Sequence, residues 1–204
     1  MGISVHQFKQ MQERLGATGR AASPTAVVSA GARRATNTNQ IVLGVDPSLR
    51  GTGFGVIRLA KPHWETLAHG TVICPAGWEH SRCLLKIAET LRDIIKKHRP
   101  TVCVIEGLFY AQNLQTALIM GEARGAALTV LAEGGLEIYE IAPRKVKQAI
   151  VGYGAAQKIA VAKMVQRMLR LAELPAPDAA DALALALAHA QENGRYSLNT
   201  PKRL

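Results

Sequence analysis

From residue 41 onward the chain alternates between two apolar periods. Ile41-Val-Leu-Gly-Val45 is a continuous apolar run of strand length, Gly53–Leu59 resumes the pattern after a glycine-rich turn, and Glu65–Ile73 follows, so the domain opens as a three-strand meander. Leu84, Leu85, Ile87, Ala88, Leu91, Ile94 and Ile95 then recur at helical spacing until His98-Arg-Pro100 stops the helix. Thr101-Val-Cys-Val-Ile105 reads as a strand covered on both faces. Beyond it the pattern predicts a helix over Leu114–Ala132, a strand over Glu137–Ile141, and a short helix from Pro143 towards Ile150, broken by Val151-Gly-Tyr-Gly154. Ala155–Leu171 is helical, and Pro175-Ala-Pro177 punctuates before a last helix beginning near Asp178. Strands first, then strands alternating with helices, specify an α/β sandwich on a mixed five-stranded sheet.

Composition narrows the class. At 204 residues and 48% hydrophobic content the chain has room for one ordinary domain and its tails. We assign residues 1–38 to a disordered basic N-terminal extension, 39–192 to the folded domain and 193–204 to a flexible C-terminal tail. The extension carries Lys9, Arg14, Arg20, Arg33 and Arg34 against the single acid Glu13, a composition shared by bacterial extensions and organellar targeting segments; the bacterial reading is preferred. No apolar run reaches the roughly 18 residues of a membrane span, and three cysteines without C-x-x-C spacing suggest neither a disulfide framework nor a zinc site. A cytoplasmic protein is expected. The formal charge of +10 favours a polyanionic partner.

Carboxylates stand where folding does not ask for them. Asp46 ends the first strand, Glu106 ends the Thr101–Ile105 strand, and Asp178 with Asp181 opens the last helix. Each has an ordinary structural role open to it, as a turn residue, a strand exit or a helix cap. Together they make sense if the two strands are parallel neighbours, because ligands gather outside the carboxyl ends of such strands. Clustered acids raise one another's pKa unless a cation neutralises them, and an all-oxygen donor set favours Mg²⁺, with Mn²⁺ as a substitute, over zinc. Two such ions per site suit in-line displacement at phosphorus. His189, more than two turns beyond Asp181, reads as a surface or packing histidine.

From Ile141 to Ala172 there are seven basic residues, Arg144, Lys145, Lys147, Lys158, Lys163, Arg167 and Arg170, and no acid, which favours phosphate binding over a merely solvated face. Lys147 and Lys158 flank the Gly152-Tyr-Gly154 break and so can approach the last helix's N-terminus. Phe109, three residues after Glu106 in a glycine-started loop, has the usual core role of phenylalanine open to it, and exposed beside a nuclease centre it could stack on or wedge between bases. Gly121 and Gly125 sit at i and i+4 of a predicted helix, where each costs roughly 1 kcal/mol; its own sheet or a second copy's helix must approach that face closely.

The stretches IVLGVDPSLRGTGFGVI, VIEGLFYAQNLQTALIMGEARGAAL, APRKVKQAIVGYGAAQK and PDAADALALALAH, in that order and spacing, closely resemble the RuvC family of Holliday-junction resolvases over about residues 40–191. The resemblance implies an RNase H-like fold, a homodimer, and Mg²⁺-dependent paired incision of a four-way DNA junction that leaves 5′-phosphate and 3′-hydroxyl ends. It maps the acidic quartet onto Asp46, Glu106, Asp178 and Asp181, the base-contacting aromatic onto Phe109, the basic active-site residues onto Lys147 and Lys158, and the dimer helix onto the one bearing Gly121 and Gly125. It also implies a branch-migration motor of the RuvA and RuvB type as partner. Ser48 departs from the family pattern, in which glycine commonly follows Asp-Pro, and the N-terminal extension has no counterpart there.

Three rival readings fit parts of the sequence. An actin-like sugar kinase or ATPase also joins a strand aspartate to a Gly-Thr-Gly hairpin, but needs two such domains, and this chain has room for one. A junction-binding protein without catalysis is disfavoured by carboxylates at all four positions. A dinucleotide-binding loop at Gly51-Thr-Gly-Phe-Gly55 fails because a strand, not a helix, follows it. The alternating glycines are read instead as a side-chain-poor hairpin that lets a DNA backbone come close.

Overall fold

The computed structural model describes residues 39–107, 113–192 and 202–204. The extension assigned to residues 1–38, Phe109, and most of the tail (193–201) lie outside the described residues. Strands β1 (Ile41–Asp46), β2 (Gly51–Arg58) and β3 (Glu65–Ile73) form the expected antiparallel meander. β4 (Val102–Glu106) then pairs with β1 in parallel, and β5 (Glu137–Ile141) pairs with β4 in parallel, giving the mixed sheet. The sheet has six strands rather than five: Lys202–Arg203, inside the expected flexible tail, adds a short β6 antiparallel to β5, in the order β3-β2-β1-β4-β5-β6.

Alternation along each strand sends side chains to two cores. Leu43, Val45, Val56, Cys103, Ile105 and Ile138 face α1 (His80–His98) and α2 (Leu114–Glu133) on one side of the sheet. Val42, Ile57, Val102, Val104 and Ile141 face α3 (Pro143–Val151), α4 (Lys158–Leu169) and α5 (Pro177–Glu192) on the other. α1 buries Cys83, Ile87, Leu91 and Ile94 at the expected spacing and stops at Arg99, whose backbone is left-handed and whose N–H donates to Ile95 O at 2.8 Å. α2 is started by Asn113, whose Oδ1 accepts the N–H groups of Gln115 and Thr116 at 2.9 and 3.4 Å. α4 begins at Lys158 rather than Ala155, because Gly152 turns the chain at φ 99° and Ala156 is still packing into the core.

α5 is the centre of the molecule. Every residue from Ala182 to Ala190 is buried, and the helix lies across β1 and β2. The glycines make this possible. A Cβ on Gly44 would fall 1.9 Å from Ala182 O, one on Gly53 would fall 2.0 Å from Asp178 O, and one on Gly55 would fall 2.7 Å from Leu183 Cδ2. The expectation that the hairpin glycines admit a DNA backbone is therefore corrected: Gly53 and Gly55 face α5 and bring that helix down onto the sheet.

Candidate active site

The parallel register Val45↔Ile105 places Asp46 and Glu106 next to each other at the carboxyl ends of β1 and β4. Both project to the α5 face, since Val45 and Ile105 belong to the opposite core. The close seat of α5 on the hairpin then sets its first turn over the same point, and a Cβ on Gly51 would lie 2.9 Å from Asp178 Oδ2. Asp181, one turn further, accepts a hydrogen bond from Lys158 Nζ at 2.7 Å. The loop between β1 and β2 is closed by Thr52, fully buried, whose Oγ1 donates to Ser48 O at 2.6 Å and accepts from Ser48 N at 3.2 Å.

Electrostatics bind these residues into one cluster. Burial, then the negative charges of Asp181 and Asp178, push Asp46 up to about 6, with Lys158 acting against the rise. Burial, then Asp46 and Asp181, push Glu106 up to about 7. The two carboxyl groups also act on each other, the interaction between them raising Glu106 and lowering Asp46. Lys158 is raised in turn, first by its bond to Asp181 and then by the surrounding carboxylates. Among the described residues no three His, Cys, Asp or Glu side chains are arranged to hold a metal ion as they stand, and the positive charge in the cluster is the Lys158 ammonium. The donor set nonetheless suits a hard divalent cation: it is all oxygen, it holds more acid than one lysine balances, and two of its members resist ionising without further positive charge.

Of the basic residues singled out from sequence, Lys158 enters the cluster through Asp181, and Arg144 and Lys147 stand on α3. Arg144 is packed so tightly against the Gly152-Tyr-Gly154 break that a Cβ on Gly154 would lie 2.4 Å from its Cγ, and Tyr153 stands exposed beside it. His189 is a packing residue: it is buried, with its ring 5.0 Å from that of Tyr139.

Two arginines near the site escaped the sequence reading. Arg50 Nη1 donates to Pro75 O at 2.6 Å, Trp78 O at 3.0 Å and Cys83 Sγ at 3.2 Å, tying the β1–β2 loop to the start of α1. Arg124, buried on α2, donates to the backbone carbonyl of Glu106 and to the Glu140 carboxylate. Its signal was available: in Gly121-Glu-Ala-Arg-Gly125 it occupies the helix face of Ala123, Ala127 and Leu131, where a charge needs a partner.

Comparison with known proteins decides the family. Residues 42–189 match the family described as crossover junction endodeoxyribonuclease RuvC. The chain belongs to the RuvC family. The RuvC of Chloroflexus aurantiacus is 43% identical over 149 residues, 72% of this chain and 91% of that protein. The RuvC of Caldanaerobacter subterraneus subsp. tengcongensis is 40% identical over 153 residues, 74% of this chain and 93% of that one. The Thermus thermophilus RuvC bound to a Holliday junction substrate superposes with a TM-score of 0.74 at 32% identity, covering 81% of this chain and 99% of that one. A yeast mitochondrial Holliday junction resolvase, at 11% identity and TM-score 0.57, shares the fold. The fold is thus the expected RNase H-like α/β architecture, and RuvC membership makes the protein a metal-dependent endonuclease rather than an actin-like phosphotransferase. Among the described residues no helix is long and apolar enough to cross a membrane.

Proposed function

We propose that this protein resolves four-way DNA junctions in recombination and repair by paired hydrolytic incisions, with Asp46, Glu106, Asp178 and Asp181 holding two Mg²⁺ ions per active site. The observation that carries the reading is the convergence of these acids, from two parallel strand ends and one buried helix, on a point shared with Lys158. Such ions supply Lewis-acid polarisation of a phosphoryl oxygen and lower the pKa of attacking water, and Mn²⁺ has the same preference for oxygen donors.

The chain's own residues do the rest. Asp46 and Glu106 are fixed by buried strands, so they would hold cations opposite the scissile phosphate without reorganising. Lys158, one side of its ammonium bound to Asp181 and its side chain largely exposed, is available to a non-bridging or leaving oxygen. Arg144 and Lys147 on α3 extend positive charge outward along the path a DNA strand takes to the acids, and Phe109 contacts bases at the crossover. Products carry 5′-phosphate and 3′-hydroxyl ends.

Two opposed cuts require two sites. Among the described residues nothing lies within 4 Å of a Cβ on Gly121 or Gly125 of α2, and Leu114 and Leu118 on the same stripe are 75% and 60% exposed. We assign this stripe to the contact with a second copy, giving a two-fold dimer matched to a pseudo-two-fold junction. A RuvA and RuvB type motor is the expected partner, in the bacterial cytoplasm. Incubating purified protein with synthetic junctions and Mg²⁺, alongside Asp46→Asn and Asp181→Asn, tests the assignment: cutting by the wild type and none by the variants is expected.

A further inference from the structure

Arg124 is 7% exposed, on the face of α2 that packs against the sheet with Ala123, Ala127 and Leu131. Its guanidinium spans two strands: Nη1 donates to the Glu106 carbonyl at the end of β4, and Nη2 donates to the Glu140 carboxylate on β5. Glu140 is the register partner of Ile105 and reaches the same face as Ile105, opposite to the side on which Glu106 meets Asp46. The peptide after Glu106 is held from the other side as well. Gly107 N donates to Ile141 O at 2.9 Å, and a Cβ on Gly107 would lie 3.3 Å from Glu140 Cγ.

An ion pair with one partner buried, as here, is a poor way to gain stability, because an apolar pair of similar volume often does as well or better. What an apolar pair cannot do is grip a carbonyl. The Glu106 peptide is pinned through its own oxygen and the following N–H, so the direction of its Cα–Cβ bond, and the side chain's aim across the sheet at Asp46, is fixed from behind. We propose that Arg124 is a positioning residue for Glu106, with Glu140 as the counter-ion that orients it, and that this clamp sets the site's affinity for divalent cations. The inference rests on the reading of Glu106 as a metal-holding carboxylate.

The test is calorimetric titration of the full-length protein with Mn²⁺ in the absence of DNA, comparing wild type, Arg124→Gln, Arg124→Lys, the double variant Arg124→Met/Glu140→Leu, and Asp46→Asn. Outer residues that orient metal ligands typically carry 10–100-fold in affinity. Arg124→Gln and the double variant are expected to lose about that much while melting cooperatively, and Arg124→Lys, which keeps a charged donor, to recover part of it. The double variant leaves no unpaired buried charge, so it decides the matter if Arg124→Gln does not fold. A folded double variant with wild-type Mn²⁺ affinity would overturn the clamp while leaving the metal site intact. Wild-type affinity in Asp46→Asn would overturn the metal reading and the clamp with it.

Discussion

Lys158 Nζ donates to Asp181 Oδ2 at 2.7 Å, joining the first residue of α4 to the second turn of α5 across the candidate active site. The bond places a full positive charge among carboxylates that are otherwise hard to ionise, since Lys158 lowers the pKa of both Asp46 and Glu106. Lys158→Met is therefore expected to reduce single-turnover cleavage by about 100-fold, the typical cost of removing one preorganised donor. Junction affinity measured without divalent ions should change only a few-fold, because Lys158 is one phosphate contact among several. A comparable loss in both would mean that Lys158 only binds.

Burial leaves a pH signature in the metal-free protein. The folded pKa values of Asp46 and Glu106, about 6 and about 7, lie above their ordinary 3.8 and 4.5. Between about pH 4 and pH 7 the folded chain thus holds more protons than the unfolded one, so the site's contribution to stability falls as pH rises through that window. In chelator, Glu106→Gln should melt above the wild type at pH 8, and the gap should close by about pH 4.5, below both folded values. Adding Mg²⁺ should raise the wild-type melting temperature at pH 8, and near pH 6, where Asp46 and Glu106 still hold protons, it should release them.

The glycines under α5 are tested by adding a methyl group. Gly44→Ala and Gly53→Ala each press a Cβ into an α5 carbonyl, at 1.9 and 2.0 Å. With overpacking costs of about 3 kcal/mol, the melting temperature should fall by roughly 6–12 °C. Gly77→Ala, with nothing among the described residues within 4 Å of the new Cβ, serves as a neutral control. Scanning calorimetry checks all three.

The stripe on α2 makes the opposite prediction. At Gly125 an added Cβ has nothing within 4 Å among the described residues, so the monomer fold should survive Gly125→Leu. Light scattering should show the dimer shifted to monomer, and cleavage should change from paired to unpaired nicks.

Much of this was legible in the sequence because it was periodic. The Glu65–Ile73 and Glu137–Ile141 strands fall where the apolar pattern put them, and the parallel pairing of β1 with β4 is the arrangement that gives Asp46 and Glu106 a common purpose. What periodicity could not carry was which neighbour each glycine serves. Gly53 and Gly55 read as an open hairpin until α5 is seen lying on them, a contact more than a hundred residues away in sequence. Arg124 stood on an apolar helix face in plain view, but its partners were hidden likewise: Glu106 and Glu140 are 18 and 16 residues distant, and only the packing of α2 on the sheet brings them together. β6, two residues long, carries no pattern at all, and it turned part of an expected tail into the sheet's sixth strand.

The central claim is that four carboxylates form one hydrolytic site selective for branched DNA. The most direct measurement is cleavage of a synthetic four-way junction and of a linear duplex of the same sequence, in Mg²⁺, by wild type, Asp46→Asn and Asp181→Asn. Symmetric paired incision of the junction by the wild type, with the duplex uncut and both variants inactive, is the predicted result. Equal cutting of the two substrates, or wild-type cutting by either variant, would contradict it.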